Sequence, residues 1–179
     1  MSKKVLIISS TPRAGGNSEI LCREFARGAR EAGHEVTLVS LRNYKIGFCS
    51  GCGACSERNL ACPQKDDMSA MQDMLESANV IVLATPVYFY TLSAQMKVFI
   101  DRTCAFYSRL SDKEFYFIMT AAEGDAAMLE RTAECFRGFT DCLDGAVERG
   151  VIYGINAWKK GEIERTPAFN QAYNAGRDV

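Results

Sequence analysis

The sequence predicts an α/β fold in which a five-stranded parallel sheet is covered by helices on both faces. Short apolar runs, typical of strands buried on both faces, alternate along the chain with segments whose apolar residues repeat at helical spacing. Such alternation is typical of parallel strands joined by crossover helices. Because those crossovers are right-handed, few strand orders are possible, and we expect the doubly wound order 2-1-3-4-5. In such a sheet, ligands bind outside the carboxyl ends of strands 1 and 3.

The elements follow one another in a regular order. Strands are predicted at residues 5–9, 35–41, 80–84, 115–120 and 150–154. Helices are predicted at residues 18–32, after a cap at Asp66 or Asp67, from about 92 to 108, around 129–143 and over 167–176. Gly33 ends the first helix. A polar loop rich in glycine and cysteine, residues 42–65, separates the second strand from the second helix.

Composition and charge exclude several classes of protein. The chain has 179 residues, nearly half apolar and about a quarter charged, with a net charge of −1. This balance is typical of one globular domain, here residues 1–179, and offers no basic field for nucleic acid or an anionic membrane. The apolar run after the N-terminus is too short for a signal peptide or a membrane span. Without a secretory signal, the eight cysteines indicate a reducing compartment, so we expect a cytoplasmic protein.

The loop after strand 1 has the composition of a phosphate site. It contains hydroxyls, glycines and one arginine, and it opens onto a helix start, where backbone N–H groups and the helix dipole favour an anion. It lacks the Gly-Lys-Ser/Thr of a P-loop and the Gly-x-Gly-x-x-Gly of a dinucleotide fold, which argues against an ATPase and a standard NAD-binding domain. The alternative is a plain polar turn. The candidate phosphate-binding residues are Ser10, Thr11, Arg13, Gly16, Asn17 and Ser18.

Two further loops should open at the same edge of the sheet. The loop after strand 3 combines a proline with three aromatic residues, which suits a planar heteroaromatic ring. The alternative is that these residues cap the core or join a dimer interface. The loop after strand 4 is rich in small residues that would let a ring approach the backbone. The candidate ring-binding residues are Pro86, Val87, Tyr88 and Phe89 in the first loop and Thr120 and Gly124 in the second.

Several motifs in order make the chain resemble the flavodoxin-like NADPH-dependent FMN reductases, which include the iron–sulfur flavoproteins. The resemblance covers residues 5 to about 154 and rests on Ser10-Thr11-Pro12-Arg13, Gly16-Asn17-Ser18, Cys52-Gly53-x-Cys55, Asp66-Asp67-Met68, Thr85-Pro86-Val87-Tyr88, and Lys97 with Asp101-Arg102. It implies a flavodoxin-like three-layer sandwich that binds FMN, takes electrons from NAD(P)H and forms a homodimer or homotetramer.

The resemblance also assigns roles by position. It implies that Thr11, Arg13, Asn17 and Ser18 bind the FMN phosphate, and that residues 86–89 line the isoalloxazine ring. One departure is Ser10-Thr11, where relatives have Gly-Ser, but threonine keeps the hydroxyl.

Four clustered cysteines leave several interpretations open. Cys49, Cys52, Cys55 and Cys62 follow the spacing C-x2-C-x2-C-x6-C, with a proline after the last. Three thiolates at this spacing can wrap a [4Fe–4S] cluster that a fourth completes, and the ferredoxin run shares the first spacings and the final proline. The spacing also matches the iron–sulfur flavoprotein pattern. The alternatives are thiols that bind no metal, a zinc site, which usually takes two cysteine pairs farther apart, and a disulfide.

No side chain is predicted to carry the chemistry, because a bound flavin would supply it. The single histidine, His34, is expected at a turn on the opposite edge, and no Ser-His-Asp or HExxH pattern is visible. We interpret Asp101 and Arg102 as an exposed salt bridge on a helix. The remaining cysteines are interpreted as buried apolar fillers, and they are Cys22, Cys104, Cys135 and Cys142.

Three functions remain open. The first is an FMN-dependent NAD(P)H oxidoreductase that reduces a flavin, a quinone or a similar acceptor. The second is an electron carrier with FMN and a [4Fe–4S] cluster on the four clustered cysteines. The third is a non-redox binding module with a zinc-stabilised cysteine loop.

Overall fold

The computed structural model describes residues 1–56 and 61–179, and its centre is a five-stranded parallel sheet in the order β2-β1-β3-β4-β5. The strands are β1 (Lys4–Ser9), β2 (Glu35–Ser40), β3 (Val80–Pro86), β4 (Glu114–Thr120) and β5 (Val147–Gly154). All four strand pairings are parallel. The predicted flavodoxin-like fold and strand order are therefore confirmed.

Helices cover both faces of the sheet. They are α1 (Asn17–Glu31), α2 (Met68–Ser77), α3 (Ala94–Arg102), α4 (Glu130–Thr140) and α5 (Pro167–Arg177). Alternate residues of β1 point to opposite faces, as a strand requires: Val5 and Ile7 pack with α1 and α5, and Leu6 and Ile8 pack with α2, α3 and α4. In the part of the chain that the structure describes, no helix is both long enough and apolar enough to cross a membrane.

Most element boundaries lie within three residues of the sequence prediction, and the end of α3 and the start of β5 are the instructive differences. Helix α3 ends at Arg102 instead of continuing to about 108, and two 3-10 turns follow it, Thr103–Ala105 and Tyr107–Arg109. The Thr103 hydroxyl donates to the Ile100 carbonyl at 2.7 Å, which is a local bond that competes with continued α-helix. Strand β5 begins at Val147, earlier than predicted, because its exposed first residues pair with β4 at the sheet edge and carry no apolar pattern.

A glycine crossing fixes the position of α1. A Cβ added at Gly28 of α1 would lie 2.1 Å from the Tyr173 carbonyl oxygen, and one added at Gly176 of α5 would lie 2.1 Å from the Phe25 carbonyl oxygen. Only glycine permits this backbone approach. The crossing holds α1 firmly, so the start of α1 is a fixed feature of the carboxyl edge of the sheet.

Candidate functional site at the carboxyl edge of the sheet

The loops that follow β1, β3, β4 and β5 meet around one half-open cleft with a volume of about 90 Å³. It brings together most of the residues singled out from the sequence, namely Thr11, Arg13, Gly16, Asn17, Ser18, Pro86, Val87, Tyr88 and Thr120. The cleft lies where the doubly wound sheet predicts a ligand, at the carboxyl ends of β1 and β3.

The β1–α1 loop, residues 10–16, forms a backbone cradle at the start of α1. Gly15 has a φ of +64°, and Gly16 occupies the cap position of α1 without any side chain to accept from the first N–H groups of the helix. A Cβ at Gly16 would lie 2.7 Å from the Thr11 hydroxyl oxygen and 3.1 Å from the Arg13 carbonyl oxygen. The loop can therefore pack this closely against the helix start only because this residue is glycine.

Positive charge surrounds this cradle. The exposed Arg13 donates to the Trp158 carbonyl at 3.3 Å, which places its guanidinium between the loops after β1 and β5. Lys160, in the loop after β5, reaches Gly15, since a Cβ built there would be 2.9 Å from the lysine Nζ. Two cations from separate loops thus flank the helix start, where an anion is favoured.

One buried carboxylate lies close to the same loop. Glu19 is 3% exposed, accepts from the Gly15 N–H at 3.1 Å and pairs with Arg23 and Arg42, both at 2.6 Å. Burial alone would raise the pKa of Glu19, but the bonds from Arg42 and from Gly15 outweigh it and hold the pKa below its ordinary value. Glu19 is therefore ionised, neutralised by two arginines and used to shape the loop.

The side chains of Asn17 and Ser18 form hydrogen bonds to other parts of the protein. The Asn17 amide donates to the Ala157 and Lys159 carbonyls at 3.1 and 3.0 Å, and its oxygen accepts from the Gly161 N–H at 2.9 Å. It therefore fastens the loop after β5 to the start of α1. The buried hydroxyls of Ser18 and Thr120 bond to each other at 2.7 Å, which ties α1 to the end of β4.

Three of the predicted cofactor residues do not line the cleft. Ser10 is buried, and its hydroxyl donates to the Ala84 carbonyl at 3.0 Å, so it joins the ends of β1 and β3. Phe89 is 99% exposed at the tip of a tight turn, with a φ of +50°. Gly124 is exposed and close to Asn156, whose Oδ1 would lie 3.0 Å from an added Cβ.

The loop after β5 supplies a wall that the sequence analysis missed. Ala157 and the 69%-exposed Trp158 line the cleft, and Lys160 approaches the β1–α1 loop. The only feature of the sequence that could have indicated this wall is its position, since the loop after a fifth parallel strand must also lie at this edge of the sheet. The lone tryptophan of the chain follows that strand by four residues.

The cysteine loop, residues 44–67, carries the four clustered thiols. Cys49 and Cys52 are exposed, and Cys55 and Cys62 are half-buried. Residues 57–60, which belong to the predicted loop, lie outside the described residues. Over residues 1–56 and 61–179, no group of three or more Cys, His, Asp or Glu side chains is arranged to hold a metal ion. The donor chemistry suits an iron–sulfur cluster, but the described geometry does not gather the four sulfurs.

Arg102 corrects the sequence interpretation, because it is buried instead of exposed. Its side chain is 2% exposed and pairs with Asp66 through two contacts of 2.6 and 3.0 Å. It also donates to the Gly47 carbonyl and the Gln64 side chain, both at 2.7 Å, and to the Cys62 sulfur at 3.6 Å. We call this set of contacts the Arg102 clamp. Asp101 does form an exposed pair, but with Lys97 one helical turn earlier.

The clamp changes the acidity of Asp66. Hydrogen bonds from Arg102, outweighing the opposing effect of burial, lower the pKa of Asp66 to about 2. Asp66 also accepts from the Gly47 N–H at 2.9 Å and from the Met68 N–H at 3.1 Å. One carboxylate thus joins both ends of the cysteine loop to the start of α2.

Three of the cysteines interpreted as buried fillers are exposed. Cys22 is fully buried, as predicted, and burial raises its pKa to about 12. Cys104, Cys135 and Cys142 are exposed and lie along a groove between α3 and α4. Helical spacing placed them on helices but could not show that this groove is open. His34 lies at the opposite edge, as expected, where its Nδ1 accepts from the Lys3 N–H at 3.1 Å.

Comparison with known proteins assigns the chain to a family. An iron–sulfur flavoprotein of Methanocaldococcus jannaschii is 38% identical to it over 100 residues, which are 56% of this chain and 51% of that protein. An iron–sulfur flavoprotein of Archaeoglobus fulgidus is 36% identical over 99 residues, which are 55% of this chain and 44% of that protein. The chain therefore spans about half the length of the curated relatives it matches. An NAD(P)H:quinone oxidoreductase from Methanothermobacter marburgensis shares the fold, with a TM-score of 0.78, 17% identity and coverage of 99% of this chain and 97% of that one.

The match to a family model covers most of the chain. The model for "NADPH-dependent FMN reductase" matches residues 3–155, a span that contains the β1–α1 loop, the cysteine loop and the loops after β3 and β4. This protein therefore belongs to the NADPH-dependent FMN reductase family.

Proposed function

We propose that the protein is an FMN-dependent oxidoreductase that takes electrons from NAD(P)H and passes them to a small acceptor such as a flavin or a quinone. The observation that carries the proposal is the glycine cradle at the start of α1, flanked by Arg13 and Lys160 and continuous with an apolar wall. A helix start of this kind suits a phosphate, and the wall suits a planar ring.

The residues around the cleft divide into two groups by chemistry. The first backbone N–H groups of α1, the Thr11 hydroxyl and the two cations would hold the FMN phosphate. Asn17 would contribute only its backbone N–H, because its amide is already bonded to the loop after β5. Pro86, Val87, Tyr88 and the small residues after β4 would face the ring.

Bound FMN supplies the two-electron chemistry in this family. The protein therefore has to bind the FMN, orient it and leave one face of its ring accessible. The volume of the half-open cleft, about 90 Å³, is well below the roughly 300–1,000 Å³ typical of pockets that bury a drug-sized ligand. One chain would therefore leave much of the ring uncovered, which gives a nicotinamide and then an acceptor a face to approach. The same openness supports a homodimer or homotetramer in which a second copy completes the site.

A second candidate is an iron–sulfur flavoprotein that carries electrons through FMN and a [4Fe–4S] cluster. The observation that favours it is the cysteine spacing, together with the likeness to proteins described as iron–sulfur flavoproteins. The ligands would be Cys49, Cys52, Cys55 and Cys62. We place either form in the cytoplasm, where thiols stay reduced.

An anaerobic absorption spectrum, recorded before and after NADPH, separates these functions. We expect a two-banded flavin spectrum that NADPH bleaches. A broad additional shoulder, with iron and acid-labile sulfide in stoichiometric amounts, would establish the electron carrier, and a Cys62→Ser variant should then lose the shoulder but keep the flavin bands. A protein that stays colourless after FMN is added, with zinc bound, would reject both redox functions.

A further inference from the structure

The side chain of Glu19 joins the β1–α1 loop to the end of a neighbouring strand. Its Oε2 accepts from the Gly15 N–H at 3.1 Å and from the Arg42 guanidinium at 2.6 Å. Arg42 lies in the 3-10 turn Leu41–Asn43 that follows β2, and it also donates to the Ser40 hydroxyl at 2.6 Å. One carboxylate oxygen therefore ties the Gly15 N–H to the end of β2.

Gly15 is the residue whose conformation this bond selects. It has a φ of +64°, in the left-handed region that favours glycine, and the next residue, Gly16, is the cap of α1 and lines the cleft. Two glycines in succession have little conformational preference of their own, because each can adopt several backbone conformations at low cost. The bond to Glu19 therefore fixes the path by which the loop reaches the start of α1.

The charge of Glu19, taken alone, opposes an anion at this place. A carboxylate repels a phosphate, and the repulsion is strongest where water is excluded, as it is around this 3%-exposed residue. Arg23 and Arg42 each pair with the carboxylate at 2.6 Å and neutralise its charge. The hydrogen bond to the loop is thus the contact through which Glu19 can favour an anion, since its charge cannot.

We propose that Glu19 is a positioning residue that sets the phosphate affinity of the cleft by holding Gly15, and that it thereby makes the protein select FMN over riboflavin. Riboflavin has the same ring as FMN but no phosphate. The inference rests on the proposed function, because it takes the β1–α1 loop as the phosphate site. It predicts the sign of an effect: loss of a negative charge beside the site weakens FMN binding, whereas an effect of charge alone would strengthen it.

Flavin affinities of three variants test this sign. FMN and riboflavin are each titrated into flavin-free protein. We expect Glu19→Ala, which removes both the charge and the bond, to weaken FMN binding roughly tenfold. Glu19→Gln, whose amide oxygen can still accept from the Gly15 N–H, should weaken it less, and riboflavin affinity should stay nearly unchanged in both variants. The control is Glu24→Ala, which removes a carboxylate that pairs with Arg27 on the same helix and should change neither affinity.

Two results of these titrations would overturn the proposal. Stronger FMN binding in either Glu19 variant would show that the charge decides, and an equal loss of FMN and riboflavin affinity would show that the effect does not concern the phosphate. If Glu19→Ala does not fold, the sign of the change in Glu19→Gln still decides.

Hydrogen exchange of the Gly15 amide, measured by NMR in protein without flavin, tests the same contact independently. The amide should exchange roughly tenfold faster in Glu19→Ala than in the wild type, because the bond that protects it is lost, and Glu24→Ala should leave the rate unchanged. Equal rates in the wild type and Glu19→Ala would show that Glu19 does not hold the loop. A wild-type protein that binds neither flavin would instead reject the proposed function, whatever the exchange rate of Gly15.

Discussion

Two loops at the same edge of the sheet are built in opposite ways. The β1–α1 loop is buried at both ends, with Ser10 and Thr11 1% and 3% exposed, and its shape comes from two glycines and from bonds to its own backbone N–H groups. The described part of the cysteine loop is largely exposed, with Phe48 at 77%, and is held mainly by side chains at its two ends. The backbone fixes the shape of the first loop, whereas the position of the second depends largely on the contacts of the Arg102 clamp.

The largest effect should come from breaking that ion pair. Asp66→Asn leaves the Arg102 guanidinium buried without its carboxylate, and we expect a loss of about 3 kcal/mol in the free energy of unfolding. Urea denaturation at neutral pH measures it. The matched control is Asp101→Asn, which removes the exposed pair with Lys97 and should cost less than about 0.5 kcal/mol. Equal losses in the two variants would mean that the clamp does not hold the loop.

Removing a cation from the β1–α1 loop should affect binding and leave stability nearly unchanged. Arg13→Ala removes a charge-assisted donor, and we expect FMN affinity to fall by about 1.5–3 kcal/mol. Fluorescence titration of FMN measures the affinity, and urea denaturation serves as the control. Unchanged affinity would contradict the assignment of this loop to the phosphate.

Acid should weaken the attachment of the cysteine loop, because it protonates Asp66. The pKa of Asp66 is about 2 when folded, against an ordinary value of 3.8. Its contribution is therefore fully present above pH 4 and disappears as the pH falls through 2, and it amounts to on the order of 2 kcal/mol. Unfolding free energies measured between pH 5 and 2 test this. Asp66→Asn should flatten that part of the profile, and an unchanged profile would argue against the pairing.

The smallest effect should come from the second cation. Lys160 is exposed and reaches the β1–α1 loop from the loop after β5, so Lys160→Ala should weaken FMN binding by about 0.5 kcal/mol. The same titration, repeated at high salt, should abolish the difference because salt screens exposed charges. A loss as large as that of Arg13→Ala would place Lys160 in direct contact with the phosphate.

Much of this architecture could be predicted from the sequence, because its strands, helices and glycine turns each depend on a short segment of the chain. Buried strands such as Val80–Pro86 begin with an unbroken apolar run, and the glycines of the β1–α1 loop lie directly before a helix, so both can be recognised without knowing any partner. The exposed start of β5 and the cleft wall at Ala157 and Trp158 could not be recognised in this way, because neither segment has a local pattern of apolar residues or glycines.

What the sequence alone determined is the strand order, the edge where the ligand loops meet and the glycine cradle at the start of α1. The strand order and the ligand edge follow from the spacing of apolar residues and from the way the chain connects successive strands. The cradle follows from the conformational freedom of glycine, and all of these are local properties. Only the tertiary structure decided that Arg102 is buried against Asp66 and that Asn17 fastens the loop after β5. Each of these pairs joins residues far apart in the chain, and a contact between distant residues exists only once the packing of the helices has set their separation.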